Sequence, residues 1–176
     1  MTQAPTIETQ RLRLRHHRCE DITPMVDLFA SDWARYMGGP ISHDELWRWI
    51  AAETISWEWL GYGSWAVELR ETDTLIGQVG INKPPRFPEV ELGWIVFPAY
   101  EGQGYAYEAA SAARDWGFET RGLQTLVSYI DPQNARSIAL AKRLGGVLDT
   151  KEHGEDPEDL VYRHIPQTDG SVEAYA

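Results

Sequence analysis

The sequence is poor in cysteine and in long apolar runs, and each shortage excludes a class of protein. Cys19 is the only cysteine, so no disulfide can form within the chain and a cysteine-based metal site is not expected. No apolar run is long enough to span a bilayer, and no secretory signal is recognisable. We therefore expect a cytoplasmic protein. Internal repeats and low-complexity tracts are also missing.

Positive charge is the other shortage. The chain has 16 Lys and Arg against 27 Asp and Glu, which gives a formal net charge of −11. An acidic surface repels phosphates and anionic lipids, so neither nucleic acid nor a membrane is expected as a partner. The charge suits a cationic substrate such as an amine, although solubility alone also explains it. His16, His17 and Cys19 lie close together, but no further ligand stands at a usable spacing, and no metal site is predicted.

What remains is the composition of one globular domain. The 176 residues are 43% hydrophobic and 24% charged, which suffices for a single core. We predict one domain over residues 1–176, with a core at about 7–165 and a mobile tail over 167–176.

The order of the periodic segments predicts a mixed α/β (α+β) fold. An alternating strand around Leu12 comes first, and the row of Arg11, Arg13 and Arg15 beside it is expected to be a solvated face. Helices, a three-strand meander, a helix, a strand near 123–130, a helix from Asn134 and a closing hairpin follow. The short connections of the meander predict a mostly antiparallel sheet flanked by helices.

The segment from Glu91 to Ala106 carries the strongest functional pattern. A strand-forming run ends at Pro98, and Gly102 and Gly104 precede an alanine-rich helical segment. A glycine turn at a helix start aims free N–H groups outward, which suits a phosphate or pyrophosphate. Neither a Walker loop nor a complete dinucleotide fingerprint is present. Two glycines can also serve the geometry of the turn alone, so both interpretations stay open here.

The stretch ELGWIVFPAYEGQGYAYEAA resembles the acetyl-CoA-binding segment of the GNAT N-acetyltransferases, in particular the RimJ/RimL-type branch. Gly104 and Ala106 occupy the last two places of the family signature, whereas Glu101 stands where Arg or Gln is usual. The element order is also similar, over about residues 7–165. The resemblance implies a GNAT-like sheet and acetyl-CoA as the co-substrate, without a metal. It assigns the cofactor to Ile95, Val96, Phe97, Gly102, Gln103, Gly104, Tyr105, Ala106 and Asn134.

The resemblance also implies roles within the site. Backbone N–H groups near Ile95 would polarise the thioester carbonyl, and those near Phe97 would pair with the pantetheine arm. In the second family-like stretch, NARSIALAKRLGG, Ala141 replaces the tyrosine that protonates the leaving thiolate in many members. Ser137 is then the hydroxyl nearest the expected sulfur. Helix capping explains Asn134 and Ser137 equally well.

Tryptophans are concentrated where the family pattern flanks the acceptor site. Four of them lie in or beside the predicted helix that ends near residue 59, namely Trp47, Trp49, Trp57 and Trp59. Burial in the core explains such a concentration. An aromatic wall that attracts a cationic acceptor explains it as well.

Glu91 is our candidate for the base that deprotonates the amine. Alternation places Glu91, Gly93 and Ile95 on one face of the strand. Apolar neighbours would desolvate the carboxylate and raise its pKa, which suits a base. The alternative is an exposed strand residue paired with a cation.

We therefore predict acetyl transfer from acetyl-CoA to a primary amine, either a protein N-terminus or a small amine, within a ternary complex. A non-catalytic acyl-CoA-binding module is the alternative. A homodimer is compatible with the resemblance.

Overall fold

A computed structural model describes residues 2–154 and 156–166 of the chain. The predicted tail over 167–176 lies outside the described residues. Four α-helices are present in the described part, together with short 3-10 segments: α1 Ile22–Phe29, α2 His43–Trp59, α3 Tyr105–Glu119 and α4 Ala135–Arg143. The strands are β1 Ile7–Glu8, β2 Leu12–Arg15, β3 Ser64–Leu69, β4 Leu75–Asn82, β5 Glu91–Val96, β6 Leu126–Ile130, β7 Val147–Leu148 and β8 Leu160–His164.

The strands form one sheet in the order β1-β2-β3-β4-β5-β6-β8-β7. All neighbouring pairs are antiparallel except β5 and β6, which are parallel. The predicted mixed, mostly antiparallel sheet flanked by helices is confirmed.

One face of the sheet is apolar and carries α3. Leu12, Val67, Val79 and Leu92 project from successive strands on this face and are fully buried. Helix α3 presents small residues to them, with Ala109, Ala110 and Ala113 almost completely buried. Small side chains let the helix lie close to the sheet, and the start of α3 is thereby fixed beside the end of β5.

The opposite face is polar, and here the prediction of a solvated arginine row is wrong. Arg15 is only 7% exposed. Its guanidinium donates to both oxygens of Asp21, at 2.8 and 2.9 Å, and to Glu68 at 2.5 Å. Arg13 also donates to Glu68, at 2.8 Å. The counter-ions come from β3 and from the start of α1, so alternation within β2 could not reveal them.

Local signals place the helix ends well, with one exception after α3. Ser42 and Glu45 form the predicted capping box at the start of α2. The strand expected from residue 123 begins at Leu126 instead. Leu123 still belongs to the turn that closes α3, because its N–H donates to the Gly117 carbonyl at 3.0 Å.

Candidate active site

Strands β5 and β6 separate soon after they meet. Their ladder has one residue pair, Glu91 with Val127, and the Val127 N–H donates to the Val90 carbonyl at 2.9 Å. One residue further on, the Leu92 carbonyl accepts from the Ser128 hydroxyl at 2.7 Å. Beyond Leu92 the ladder stops, and no strand formed by the described residues lies along this edge of β5.

The free amides on that edge belong to Trp94 and Val96. The Phe97 N–H donates to Ile76 on β4 at 2.8 Å, and the Phe97 carbonyl accepts from Tyr100 at 2.8 Å. Backbone N–H groups alternate between the two edges of a strand, so the N–H of Ile95 also points to β4. Of the three strand residues expected to offer their backbone, Val96 has its amide on the open edge, whereas the amides of Ile95 and Phe97 face β4. The cofactor contacts near Ile95 and Phe97 stay a prediction, for which the neighbouring amides of Trp94 and Val96 are available.

Five of the predicted cofactor residues meet in the turn before α3. Gly102 and Gly104 have φ values of +73° and +83°, which only glycine adopts readily. Helix α3 has Gly104 as its N-cap, without a capping side chain, and its first backbone bond runs from Glu108 to the Gly104 carbonyl at 3.1 Å. The N–H groups of Tyr105 and Ala106 therefore have no acceptor within the helix. Gln103 lies between the two glycines, and its carbonyl accepts from Arg11 at 3.0 Å.

The acidic residue at the start of this turn is compensated. The Glu101 carboxylate forms an ion pair with Arg136 on α4 and accepts from the Trp33 indole at 3.0 Å. A second guanidinium, that of Arg11, lies 4.4 Å from the centre of the Tyr105 ring. Arg136 offsets the charge of Glu101, and Arg11 is paired with Glu108 in the first turn of α3 at 2.7 Å, so both carboxylates beside the turn have a guanidinium partner.

Helix α4 brings a hydroxyl to the open edge of β5. The Asn134 side chain caps the helix by accepting from the Ser137 N–H at 3.2 Å. The Trp94 indole N–H donates to the Ser137 hydroxyl at 3.3 Å, which leaves the Ser137 proton for another acceptor. Ala141, at the place of the family tyrosine, is completely buried.

The Glu91 side chain lies on the polar face of the sheet, away from α3, and Glu91 is paired with Asn82 of β4. Its carboxylate folds over Gly93, where a Cβ would lie 3.5 Å from Oε2. No ion pair joins Glu91 to any of residues 2–154 or 156–166, so the alternative of a paired surface residue is not supported. Burial raises the pKa of Glu91 to about 8, and the charge of Glu53 acts in the same direction.

In the described part of the chain, no three His, Cys, Asp or Glu side chains are grouped so that they could hold a metal ion. Among the same residues, no helix combines the length and apolar character needed to cross a bilayer.

Comparison with known proteins decides the family. Residues 11–147 match the model of the acetyltransferase (GNAT) domain. The chain belongs to the GNAT acetyltransferase family. An acetyltransferase from Agrobacterium tumefaciens strain C58 is 46% identical, with a TM-score of 0.90 over 93% of this chain and 95% of that one.

Two further GNAT relatives are more distant. Spermidine N(1)-acetyltransferase of Escherichia coli K12 is 35% identical over 71 residues, which is 40% of this chain and 37% of the relative. RimL, a ribosomal L7/L12 α-N-protein acetyltransferase solved with coenzyme A, is 18% identical, with a TM-score of 0.68 over 92% of this chain and 98% of that one. At this identity the RimL comparison supports the fold and does not assign the branch.

The GNAT site also contains residues that the sequence did not single out. Glu53 on α2 is 6% exposed and accepts hydrogen bonds from Trp49, Gln78 and Asn82. A signal was present, since Glu53 shares the buried helix face with Leu46 and Ile50. A carboxylate at such a position needs polar partners from elsewhere in the fold.

The tryptophans of α2 divide between the two interpretations. Trp57 is 2% exposed and belongs to the core, where its ring lies edge-to-face with that of Trp65 at 4.6 Å. Trp49 donates to Glu53 at 2.6 Å and so reaches the polar face of the sheet. Trp47 and Trp59 are 52% and 76% exposed, so burial in the core does not explain them.

The raised pKa of Glu91 predicts a pH-dependent cost in stability. A carboxyl whose pKa rises from 4.5 to about 8 on folding favours the folded state below pH 4.5, and this contribution is lost as the pH rises through 8. Glutamine mimics the protonated form. Glu91→Gln should therefore unfold like the wild type at pH 4.5 and should be more stable at pH 9 by a few kcal/mol, at about 1.4 kcal/mol per pKa unit. Urea unfolding at both pH values measures this, and an equal difference at both would contradict it.

The junction of β5 and β6 predicts a second effect on stability. Burial, with the charge of Arg114, lowers the pKa of His164 to about 4, so its ring is neutral. His164 Nε2 lies 3.1 Å from the Ser128 hydroxyl, which donates to Leu92. Ser128→Ala leaves both partners unpaired and should cost about 1–3 kcal/mol.

Ser111→Ala is the matched control for Ser128→Ala. The Ser111 hydroxyl oxygen is buried and has no hydrogen-bond partner among the described residues. Its removal should change the free energy of unfolding by less than about 0.5 kcal/mol. Equal losses for the two variants would show that the Ser128 hydrogen bonds contribute nothing.

Proposed function

We propose that this protein transfers the acetyl group of acetyl-CoA to a primary amine, directly and within a ternary complex. The observation that carries the proposal is the position of Glu91. Its carboxylate lies over Gly93, next to the stretch of β5 whose Trp94 and Val96 backbone amides face the open edge, and Arg86 is the cation whose charge acts on it. Glu91 can then act as a base on the amine, while the N–H donors on the open edge of β5 bind acetyl-CoA, so the two reactants meet at one strand.

The co-substrate would be held by backbone more than by charge. The N–H groups of the turn from Gly102 to Ala106 suit the diphosphate, because a helix start favours an anion. The Val96 amide and the remaining Asn134 amide protons suit the pantetheine arm, in the way an added strand pairs with an edge. The backbone N–H of Trp94 suits the thioester carbonyl.

The reaction follows from these positions. Glu91 takes one proton from the amine, and the nitrogen lone pair attacks the carbonyl carbon. A C–N bond forms, the electron pair of the C–S bond leaves with sulfur as the thiolate, and the nitrogen releases its second proton to water. Ser137, whose hydroxyl proton is free to be donated, supplies a proton to the thiolate and regains one from solvent. The products are an amide and CoA, and the proton on Glu91 is returned to water.

The acceptor is proposed to arrive as a cation. Glu53 and Asp159 both place negative charge near Glu91, opposed by Arg86, and the whole chain carries a net charge of −11. Such a field concentrates ammonium groups. Spermidine N(1)-acetyltransferase and RimL, named for a polyamine and a ribosomal protein, indicate the two classes to test first, small polyamines and protein N-termini.

The non-catalytic alternative rests on Ala141. Its buried methyl group cannot protonate a thiolate, so the family's usual acid is missing. Ser137, one turn earlier on the same helix, supplies a hydroxyl in its place.

The test is thiol release from acetyl-CoA with a panel of spermidine, aminoglycosides and peptides with free N-termini, and mass spectrometry of the acceptor. The proposal expects an acetylated amine and one equivalent of thiol. Acetyl-CoA binding by calorimetry without product on any member of the panel would favour the binding module.

A further inference from the structure

Glu53 is a buried carboxylate in the polar layer between α2 and the sheet. Its two oxygens accept N–H groups from Trp49 at 2.6 Å, Gln78 at 2.6 Å and Asn82 at 3.1 Å. An indole N–H can only donate, which suits an ionised acceptor. Burial raises the pKa of Glu53, and hydrogen bonds from Ser64, Trp49 and Gln78 act against that rise.

No lysine or arginine pairs with this carboxylate. Within residues 2–154 and 156–166, the ion pairs of the polar layer join Arg13 and Arg15 to Glu68 and Asp21 and leave Glu53 out. The imidazole of His17 also bears on Glu53, and His17 Nδ1 lies 3.6 Å from Asp21. A buried charge kept without a counter-ion is costly, so it calls for a role.

One of the three donors to Glu53 stands beside the candidate base. Asn82 lies directly opposite Glu91 in the ladder of β4 and β5, whereas Gln78 lies further along, opposite Ile95. Paired residues on antiparallel strands project to the same face, so the amides and the base share one surface. Between them lie Gly80 and Gly93, which carry no side chains and leave the Glu91 carboxylate room to fold over the strand.

We propose that Glu53 is a positioning residue for Glu91: it fixes the Asn82 amide opposite the base and places a second negative charge next to it. This inference rests on the proposed function, in which Glu91 deprotonates the amine. The negative charge of Glu53 favours the protonated form of Glu91. The Glu91 carboxylate is therefore a stronger base toward an ammonium group.

Several other groups also act on Glu91 and must stay unchanged in a test. Asp159, before β8, adds negative charge, and Arg86, in the loop between β4 and β5, opposes it. The Tyr129 phenol on β6 lies near enough to be affected by Glu91. A variant at Glu53 alters none of these side chains.

Glu53→Gln is the informative variant, because it removes the charge at constant size. The Oε1 atom of Gln78 is buried without a partner among the described residues, and rotating that amide lets it accept from the new glutamine. Glu53→Asp keeps the charge and retracts it by one methylene, so it serves as the partner variant. Thermal unfolding of both, compared with the wild type, reports whether the fold is retained.

The measurement is a pH titration of the Glu91 side-chain carboxyl carbon by NMR, assigned by its loss in Glu91→Gln. It requires no acceptor and no turnover. The wild-type midpoint is expected near 8, and Glu53→Gln should lower it by about one pH unit. Glu53→Asp should lower it less, and if Glu53→Gln does not fold, an unchanged midpoint in Glu53→Asp contradicts the inference.

Two results would overturn the inference: an unchanged midpoint in Glu53→Gln, or equal shifts in Glu53→Gln and Glu53→Asp. Neither would affect the proposed acetyl transfer, which the amine panel tests separately. Conversely, a chain that acetylates nothing would refute the proposed function, while a shifted midpoint would still show that the two carboxylates interact.

Discussion

Glu91→Gln is expected to lower kcat/KM by about 10²- to 10⁴-fold, which is the usual contribution of a positioned base. Glutamine has nearly the shape of glutamate and keeps its place over Gly93, but it cannot take a proton from the amine. Steady-state kinetics with the acceptor found in the panel measures the loss. Acetyl-CoA affinity should be unchanged, because the loop and the open edge of β5 do not involve this side chain.

The pH profile separates lost chemistry from lost structure. Since the pKa of Glu91 is about 8, the wild-type rate should rise with pH and bend near 8 as the base becomes ionised. The bend should vanish in Glu91→Gln. Glu119→Gln, an exposed change near the end of α3, should leave both rate and profile as they are. A bend that persists in Glu91→Gln would assign the base to another group.

Gly102→Ala is expected to weaken acetyl-CoA binding by tenfold or more, a change of about 1.4 kcal/mol. The φ of +73° at Gly102 costs a residue with a Cβ about 1–2 kcal/mol, and the turn can relieve that strain only by moving its N–H groups. A Cβ at this position has no atom within 4 Å, so the effect is conformational and not steric. Isothermal titration calorimetry with acetyl-CoA measures it.

Gly122→Ala is a closely matched control at the other end of α3. Gly122 has a φ of +68° and equally open surroundings, so alanine imposes the same backbone strain away from the turn. It should lower stability as much as Gly102→Ala does and leave the dissociation constant unchanged. Equal losses of affinity in both variants would mean that the turn has no special part in binding.

Features encoded within a few neighbouring residues could be predicted from the sequence. The glycine turn, the capping box of Ser42 with Glu45 and the cap at Asn134 all formed as expected, because each depends on side chains within three or four positions. The closing hairpin of β7 and β8 also formed. These signals sufficed for the fold and for the position of the turn.

The features that could not be predicted from the sequence depend on partners far along the chain. Alternation tells which residues share a face of β5, but not which edge of the strand is already paired, so the donors could be predicted only near Ile95 and Phe97 and not assigned to Trp94 and Val96. The pairing of Phe97 with Ile76 decides it. The neutralisation of Arg15 likewise required Glu68, 53 residues away. Glu53 could be identified as a carboxylate on an apolar helix face, but its donors on β4 could not.

The crystal structure of this protein with CoA tests the central claim most directly. We expect the diphosphate to accept from the backbone N–H groups of residues 102–106, and the pantetheine arm to lie along Trp94 and Val96 with its sulfur between Glu91 and Ser137. A ligand bound elsewhere, with the turn before α3 closed by side chains and β5 paired along both edges, would contradict the account.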